Sequence, residues 1–408
     1  MRLAAIIAEY NPFHNGHAWH IAKTQEAAGA THILILMSGN FVQRGDFAIT
    51  DKWTRALMAL HNGADLVCEL PYAFCAQSAP YFADGAIAIL NALNVCDILS
   101  FGSESGNLSA LSNVASLLTK ETKTFQSELH HALSRGLSFP AARSAAIMAS
   151  AGEDVASLLR EPNNILGIEY LKALQLTNST IRPFTISRKG DGYHDAHTDT
   201  HCFPSASWLR QYLYNTQNNL SIIENWIPFE VDTFIENFKQ RQTNPYPSFF
   251  KTLASQIMTS ELSDFRHFPY FEDGLEFALK NALNSVNDYH QLKKALASKR
   301  LPESRIQRFL INLIMHYDNT LFASLTQPCA APYLRVLGFN DRGREILRAI
   351  RDSSDLPILT NLRANRTRLN TFGRKHLDVD MRATDLWNLY CKKEFIYHQD
   401  MIQSPIII

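Results

Sequence analysis

Apolar residues recur through the first half of the chain in short runs, and a longer stretch with helical spacing follows each run. The runs are rich in Ile, Leu and Val, as are strands of a parallel sheet that helices cover on both faces. The pattern predicts strands at Leu3–Ala8, 32–37, 65–70, 97–101 and 183–187, and helices at 17–28, 51–61, 78–93 and 108–120. We therefore predict a doubly wound α/β domain with its ligand crevice at the carboxyl ends of the strands.

The rest of the chain has a different pattern. Residues 106–176 are mostly helical, which predicts an insertion before the last strand of the sheet. From about residue 229 to the C-terminus helical spacing prevails, with breaks at Pro245, Pro247, Pro302, Pro328 and Pro332. A length of 408 residues is long for one domain. We predict a catalytic α/β domain at 1–228 and a mostly helical C-terminal domain at 229–408.

The turn after the first predicted strand places two histidines at the start of a helix. His14-Asn15-Gly16-His17 puts both imidazoles on one helix face, since residues three apart are neighbours there. A helix start offers free backbone N–H groups and a partial positive charge, and Gly16 lets an anion approach the backbone. These features predict a triphosphate site in which both histidines donate to oxygens of the α-phosphate. A helix cap with two surface histidines is the alternative.

One arginine lies at the end of the last predicted strand, and a second lies near the start of the helix after it. Arg188 ends the strand, and Ser205-Ala206-Ser207-Trp208-Leu209-Arg210 opens the helix. Arg188 and Arg210 can neutralise a departing pyrophosphate, because guanidinium groups suit bidentate contacts to phosphate. Ser205 and Ser207 can cap the helix and turn its N–H groups towards the β- and γ-phosphates. A surface loop followed by a capped helix is the alternative.

Other candidates follow the remaining strand ends. Gly102 permits close backbone approach after the fourth strand, and Asn163 precedes an apolar helix, where Asn is also a common cap. The loop after the second strand offers an acid-substrate pocket or plain turn residues, with Asn40, Gln43, Arg44 and Asp46. The Gly-rich segment 190–202 holds His194, His197, His201 and Cys202. Their spacing fits no standard zinc pattern, so we expect a lid over the phosphates and no metal site.

Charge is balanced overall but concentrated locally. The formal net charge is zero, yet residues 335–375 hold ten Lys and Arg against four acids. Such a patch is typical of phosphate-backbone binding, although a solvated helix face is the usual meaning of a basic run. Arg342, Arg344, Arg366 and Arg368 are our candidates for RNA contacts.

The sequence favours a reducing, cytoplasmic location. It has six cysteines without a C-x-x-C pair, no signal peptide and no apolar run near about 20 residues.

The histidine motif resembles that of the HIGH superfamily of nucleotidyltransferases and class I aminoacyl-tRNA synthetases. Further blocks, in order along the chain, are similar to the bacterial tRNA(Met) cytidine acetate ligase family. They are Ala8 to His17, Met37 to Gly45, Glu69-Leu70-Pro71-Tyr72, Phe101-Gly102-Ser103-Glu104, Pro162 to Gly167, and Pro332 to Phe339. The resemblance implies a HIGH-type, Rossmann-like catalytic domain and a tRNA-binding C-terminal domain.

The resemblance also implies the reaction and most of the nucleotide contacts. Members activate acetate as acetyl-adenylate and transfer the acetyl group to N4 of the wobble cytidine of elongator tRNA(Met). ATP is then the substrate, with Mg²⁺ as its counter-ion, and His14, His17, Arg188 and Arg210 are the expected catalytic residues. The expected ATP contacts are Ile7, Ala8, Glu9, Tyr10, Asn11, Pro12, Phe13, His14, Asn15, Gly16, His17, Ala18, Trp19, His20, Gly102, Asn163, Arg188, Ser205 and Ser207.

Two other functions stay open from the residues alone. The protein could be a nucleotidyltransferase that moves AMP from ATP to a small phosphorylated metabolite. It could also be an RNA-binding protein with a decayed active site, which the intact histidine pair argues against. The ligase releases free AMP once acceptor RNA is present, whereas the nucleotidyltransferase releases only pyrophosphate.

Overall fold

The computed structural model describes residues 1–137, 139–188, 204–215, 220–228, 230–241 and 244–408. Its strands are β1 (Leu3–Ala8), β2 (His32–Ser38), β3 (Leu66–Leu70), β4 (Ile98–Ser103), β5 (Arg182–Ser187), β6 (Leu334–Phe339), β7 (Ile358–Leu359) and β8 (Ile406–Ile407). The helices of the first half are α1 (Asn15–Ala28), α2 (Lys52–His61), α3 (Tyr72–Cys75), α4 (Ala79–Ala92), α5 (Leu108–Thr119), α6 (Lys123–Ser134), α7 (Phe139–Ala151), α8 (Glu153–Ser157), α9 (Pro162–Leu176) and α10 (Ala206–Asn215).

The helices of the second half are α11 (Val231–Gln240), α12 (Tyr246–Thr259), α13 (Leu275–Ala282), α14 (Tyr289–Leu296), α15 (Glu303–Ile314), α16 (Asn319–Leu325), α17 (Asp341–Ser353), α18 (Leu362–Asn365), α19 (Thr371–Cys391) and α20 (Gln399–Ile402). Short 3₁₀ turns lie at Leu158–Arg160, Leu220–Asn225, Leu262–His267 and Arg366–Arg368. In the described part of the chain, no helix has the length and apolar character needed to cross a bilayer.

The predicted parallel sheet is confirmed. Its order is β5-β4-β1-β2-β3, with every neighbouring pair parallel, so the chain winds outwards in both directions from β1. All seven residues of β2 are buried, as expected for a central strand that helices cover on both faces. Because the five strands are parallel, their carboxyl ends meet at one edge, which we call the carboxyl edge; the amino edge is the opposite one.

The segment before β5, where an insertion was predicted, is helical. Helices α5 to α9 occupy most of residues 108–176, and α9 packs against α4 and α5. Their apolar residues, such as Leu111, Val114 and Ile168, join the core on that face of the sheet. The second half is mostly helical and has a separate cluster of buried apolar side chains, which includes Phe249, Phe309 and Trp387.

Three strands of the second half were not predicted. β6 lies antiparallel to β3, and β7 and β8 both pair with β6, so the C-terminal half completes the sheet. The division of the chain at residue 228 therefore does not separate the sheet from the helical half. The apolar run Leu334–Phe339 is short, and periodicity alone cannot distinguish such a strand from a buried helical segment.

A cluster of buried charges joins β3 to the C-terminal half. Lys52 Nζ lies 2.7 Å from Glu69 Oε2 and 3.0 Å from Asp400 Oδ1. Arg335 contacts the same two acids, at 3.3 Å and 3.0 Å, and Thr384 Oγ1 donates to Asp400. Although burial lowers the pKa of Arg335, Asp400 and Glu69 raise it above its ordinary value. Arg335 was counted in the predicted basic patch, and that count was wrong for this residue, since its charge is buried and paired.

We expect Lys52→Ala to lower the free energy of unfolding by about 3–5 kcal/mol, because it leaves Glu69 and Asp400 buried without one of their two cations. Urea unfolding followed by circular dichroism measures this loss. Lys23→Ala is the control, because Lys23 pairs with Glu26 on the surface, and such pairs contribute at most about 1 kcal/mol. Equal losses in the two variants would contradict the importance of the buried cluster.

Candidate active site

Both histidines of the motif lie at the carboxyl edge, after β1, and their rings are stacked. The ring centroids of His14 and His17 are 3.8 Å apart with 27° between the planes. His14 is the N-cap of α1: its Nδ1 accepts from the Gly16 N–H at 3.1 Å, and the His14 N–H donates to His17 Nδ1 at 3.2 Å. An Nδ1 that accepts leaves the proton of a neutral imidazole on Nε2. Both rings therefore carry their donor on the side away from the helix cap.

His14 is buried, and its Nε2 has no hydrogen-bond partner among the described residues. Burial, with the charges of Arg188 and Arg210 added, lowers the pKa of His14 to about 3. Burial also lowers the pKa of His17 well below its ordinary value, and that of His20 to about 4. These rings are neutral donors at physiological pH. A buried donor without a partner is costly, and an incoming oxygen of a ligand would satisfy it.

The backbone N–H groups at the start of α1 are not free, which corrects one element of our prediction. The Asn15 N–H donates to the Trp226 carbonyl at 2.9 Å, and the Gly16 N–H is taken by His14. The His17 N–H returns to the His14 carbonyl at 2.8 Å. Acceptors from the chain itself thus satisfy these three N–H groups of the first turn. The groups left to meet a nucleotide here are the imidazole N–H donors.

Arg55 of α2 holds the turn before the histidines. Its guanidinium donates to the carbonyls of Glu9 (2.7 Å), Ser38 (3.0 Å) and Gly39, and so ties the ends of β1 and β2 together. Burial lowers the pKa of Arg55 to about 10, so it remains charged. Sequence reasoning missed this residue. Its signal was a single charge within the apolar stretch from Trp53 to Leu60.

The predicted ATP-contact segment from Ile7 to His20 contains partly exposed and buried side chains. Tyr10 and Phe13 are in the core, with their rings 4.7 Å apart, so any contact they make to a nucleotide is through backbone atoms. The segment's partly exposed members are Ile7, Ala8, Glu9, Asn15, Gly16, His17, Ala18, Trp19 and His20. His20 Nε2 lies 3.1 Å from Ser100 Oγ, which fixes its ring against β4.

Arg210 reaches the same turn from α10. Its Nη1 donates to the Asn11 carbonyl at 2.7 Å and its Nη2 to Ser207 Oγ at 3.1 Å. Ser205 caps α10 by accepting from the Trp208 N–H, as predicted. Ser207 was also predicted to cap the helix, but it lies inside α10, and its hydroxyl accepts from Arg210. The charge of Arg210 is directed to the residues just before His14.

Arg188 follows β5 and lies near the histidines. Its Nη1 donates to Asn163 Oδ1 at 2.9 Å, and a Cβ on Gly102 would lie 3.2 Å from its Cγ. Gly102 thus gives room to the Arg188 stem. Asn163 is not the cap of α9, because that position belongs to Glu161. The arginine is solvent-exposed, and its charge is felt by His14, His17 and His20.

The loop after β2 favours the turn interpretation over an acid pocket. Asn40 Oδ1 accepts from the Lys52 N–H at 2.9 Å, and the Gln43 N–H donates to Glu9 Oε1 at 2.9 Å. Asp46 Oδ1 accepts from the Tyr246 hydroxyl at 2.5 Å. Each of these contacts fixes the loop to its surroundings.

The histidine-rich segment lies outside the described residues. His194, His197, His201 and Cys202 all fall within 189–203. Across the described ranges no group of three or more His, Cys, Asp or Glu is arranged to hold a metal ion.

The four arginines proposed for RNA contacts are exposed and lie in two places. Arg342 and Arg344 are in the first turn of α17, which begins beside Asp65 at the amino edge. Arg366 and Arg368 form the 3₁₀ turn after α18, and Arg366 pairs with Asp378 of α19 at 2.6 Å. The basic patch of the sequence is therefore two surfaces in the fold.

Comparison with known proteins agrees with this geometry. The family model described as HIGH Nucleotidyl Transferase matches residues 1–401. A tRNA(Met) cytidine acetate ligase of Alkaliphilus metalliredigens is 37% identical over 420 residues, covering 99% of this chain and 98% of that protein. The ligase of the same name from Acetivibrio thermocellus is 35% identical, with full coverage of both chains.

Two solved structures have the same fold over the whole chain. Thermotoga maritima TmcAL bound with alpha-thio ATP superposes with a TM-score of 0.90 at 28% identity, covering 100% of this chain and 99% of that one. The apo form of Thermotoga maritima TmcAL gives a TM-score of 0.92 at 30% identity, covering both chains fully. The chain belongs to the HIGH nucleotidyl transferase family and, within it, to the tRNA(Met) cytidine acetate ligases.

Proposed function

We propose that this protein is an ATP-dependent ligase that forms acetyl-adenylate and transfers the acetyl group to N4 of the wobble cytidine of elongator tRNA(Met). The products are N4-acetylcytidine in the tRNA, AMP and pyrophosphate. The observation that carries the proposal is the full-length similarity to ligases of that name. It is joined by the neutral His14 donor, which has no partner among the described residues and feels the charges of Arg188 and Arg210.

In the first step a carboxylate oxygen of acetate attacks the α-phosphorus of ATP, and the bond from that phosphorus to the bridging oxygen of pyrophosphate breaks. We assign His14 and His17 to the α-phosphate, because neutral N–H donors stabilise charge that develops there. We assign Arg188 and Arg210 to the leaving pyrophosphate, with Mg²⁺ arriving as part of the MgATP substrate. Arginine charge at that point favours the transition state over the bound substrate.

In the second step the N4 amine of cytidine attacks the carbonyl carbon of acetyl-adenylate. The bond between that carbon and the phosphate oxygen breaks, AMP leaves, and N4 loses a proton. The amine must be outside a base-paired stack to reach the adenylate, and single-stranded loop bases meet that condition. An anticodon-loop target is consistent with this requirement.

Two surfaces support a tRNA partner. Arg366 lines an open cavity of about 530 Å³ together with Arg382, Phe395, Tyr397 and His398. Exposed aromatic and cationic side chains are the usual partners of unpaired bases, and Phe395 and Tyr397 are 54% and 64% exposed. Arg342 and Arg344 lie on a second exposed surface, at the amino edge of the sheet, and offer further charge to a phosphate backbone.

The function is tested by incubating the protein with labelled acetate, ATP and total tRNA. We expect labelled N4-acetylcytidine in digested tRNA and free AMP in step with it. The competing function, transfer of AMP to a small phosphorylated metabolite, predicts pyrophosphate without free AMP. Absence of labelled nucleoside with every tRNA preparation would contradict the proposed function.

Replacing His14 separates its two ring nitrogens. His14→Asn keeps an acceptor for the Gly16 N–H but removes the Nε2 donor, whereas His14→Gln keeps a donor near the Nε2 position. We expect His14→Asn to slow acetate-dependent ATP–pyrophosphate exchange by roughly 10²–10³, the usual effect of removing one transition-state donor, with a near-normal melting temperature. His14→Gln should retain more activity. The reverse order would show that His14 acts only as a helix cap.

The two arginine pairs are best tested separately. We expect Arg366→Gln with Arg368→Gln, and Arg342→Gln with Arg344→Gln, to leave ATP–pyrophosphate exchange near wild type and to reduce acetyl transfer. The salt dependence of tRNA binding should fall by up to about 0.7–0.9 in log–log slope for each phosphate contact removed. Lys120→Gln with Lys123→Gln, at exposed sites of the helical insertion, is the control. A pair whose transfer rate and salt slope both match the control is not part of the RNA surface.

A further inference from the structure

Glu104 lies just after β4 and caps a helix that belongs to a different part of the chain. Its Oε1 accepts from the backbone N–H of Asn163 at 3.2 Å, and its Oε2 accepts from the N–H of Asn164 at 2.8 Å. The residue at the N-cap of α9 itself, Glu161, makes no capping bond with its side chain. A carboxylate is favourable at a helix N-terminus, so capping alone would account for these two bonds.

Glu104 also accepts from the side chain of Asn163, and this bond goes beyond capping. Asn163 Nδ2 donates to Glu104 Oε1 at 2.5 Å, while Asn163 Oδ1 accepts from Arg188 Nη1 at 2.9 Å. Because a carboxylate accepts and a guanidinium donates, Glu104 on one side and Arg188 on the other permit a single orientation of the amide. Asn163 thus connects Glu104 to Arg188.

Arg188 acts on the nearby histidines through its charge and is itself attracted by Glu104. Its charge lowers the pKa of His14, His17 and His20, and Arg210 adds a second positive charge beside His14. Protein atoms around Arg188 lower the pKa of its guanidinium, and the Glu104 carboxylate opposes that shift. The side chain of Arg188 is exposed, so its position depends on the contacts that the protein offers it. Asn163 Oδ1 accepts from its guanidinium, and the Glu104 carboxylate attracts its charge.

We propose that Glu104 is a positioning residue that acts through Asn163 to hold Arg188 in place for the triphosphate. Glu104 touches neither of the two assigned histidines, and its contribution to the reaction passes through the arginine. The inference rests on the proposed function, in which Arg188 faces the leaving pyrophosphate. It adds a residue and a mechanism to that site.

A double-mutant cycle tests the proposal. Glu104→Gln keeps the size of the side chain but removes its charge and turns one acceptor into a donor. We expect it to slow acid-dependent ATP–pyrophosphate exchange by roughly 3- to 100-fold, the range found for groups in one hydrogen-bond network. In an Arg188→Ala background the same change should slow exchange less than about two-fold, because two substitutions that act through the same residue do not have additive effects. Equal losses in both backgrounds would overturn the proposal, since a purely structural cap acts independently of Arg188.

Two further variants separate positioning from folding. Asn163→Ala removes the connection but leaves Glu104 bonded to the N–H groups of Asn163 and Asn164, so α9 keeps its cap. We expect a loss like that of Glu104→Gln, with an unchanged melting temperature, and wild-type exchange in this variant would overturn the proposal. Glu161→Gln is the matched control, a carboxylate at the same helix start without a capping bond. If Glu161→Gln slows exchange as much as Glu104→Gln does, the effect comes from the loss of any negative charge near the start of α9, and the proposal fails.

Binding of a non-hydrolysable ATP analogue distinguishes failure of this inference from failure of the proposed function. The same cycle is measured by calorimetry without any acid. Glu104→Gln should weaken the analogue's affinity in the wild-type background and leave it unchanged in the Arg188→Ala background. If no acid supports exchange in the wild-type protein, the proposed function fails, and the binding cycle still decides the role of Glu104. Additive losses in affinity would refute it.

Discussion

The contact between Lys52, Arg335, Glu69 and Asp400 is the constraint on which the arrangement of the molecule depends. Two cations and two acids lie together in the interior, where each charge requires the others. Glu69 is on β3, Lys52 begins α2, Arg335 is on β6 and Asp400 is on α20. The cluster therefore fixes the C-terminal half against the edge of the parallel sheet. A Cβ on Gly39 would lie 2.4 Å from Glu69 Oε1, so the loop after β2 is fitted to the same cluster.

The candidate active site depends on that frame through backbone contacts. Arg55, one turn after Lys52 on α2, donates to three carbonyls at the ends of β1 and β2. The turn that carries His14 is thereby placed against the end of β2, and burial keeps its imidazoles neutral. Neutral donors suit an α-phosphate, because they bind developing charge without requiring a proton from solvent. In the proposed reaction, Arg188 and Arg210 supply the positive charge separately.

Much of the fold could be predicted because its periodicity is local. The five parallel strands, the helices between them and the helical insertion follow from apolar runs and helical spacing, and the structure moves their ends by only a few residues. The meeting of His14, Arg188 and Arg210 follows as well, because parallel strands bring their carboxyl ends to one edge. β6 escaped prediction because its strand character comes from pairing with β3, more than 260 residues earlier.

The sequence by itself determined the chemical groups and the strand ends where they lie: two histidines after the first strand, an arginine after the fifth, and a capped helix carrying a second arginine. Only the tertiary structure decided what each group contacts. It gave the first-turn N–H groups of α1 to His14 and Trp226, paired Arg335 internally, divided the basic residues between two surfaces, and connected Glu104 to Arg188 through Asn163. The physical reason is that periodicity records which face of an element is buried, whereas hydrogen bonds and ion pairs depend on distances of about 3 Å between residues remote in the chain.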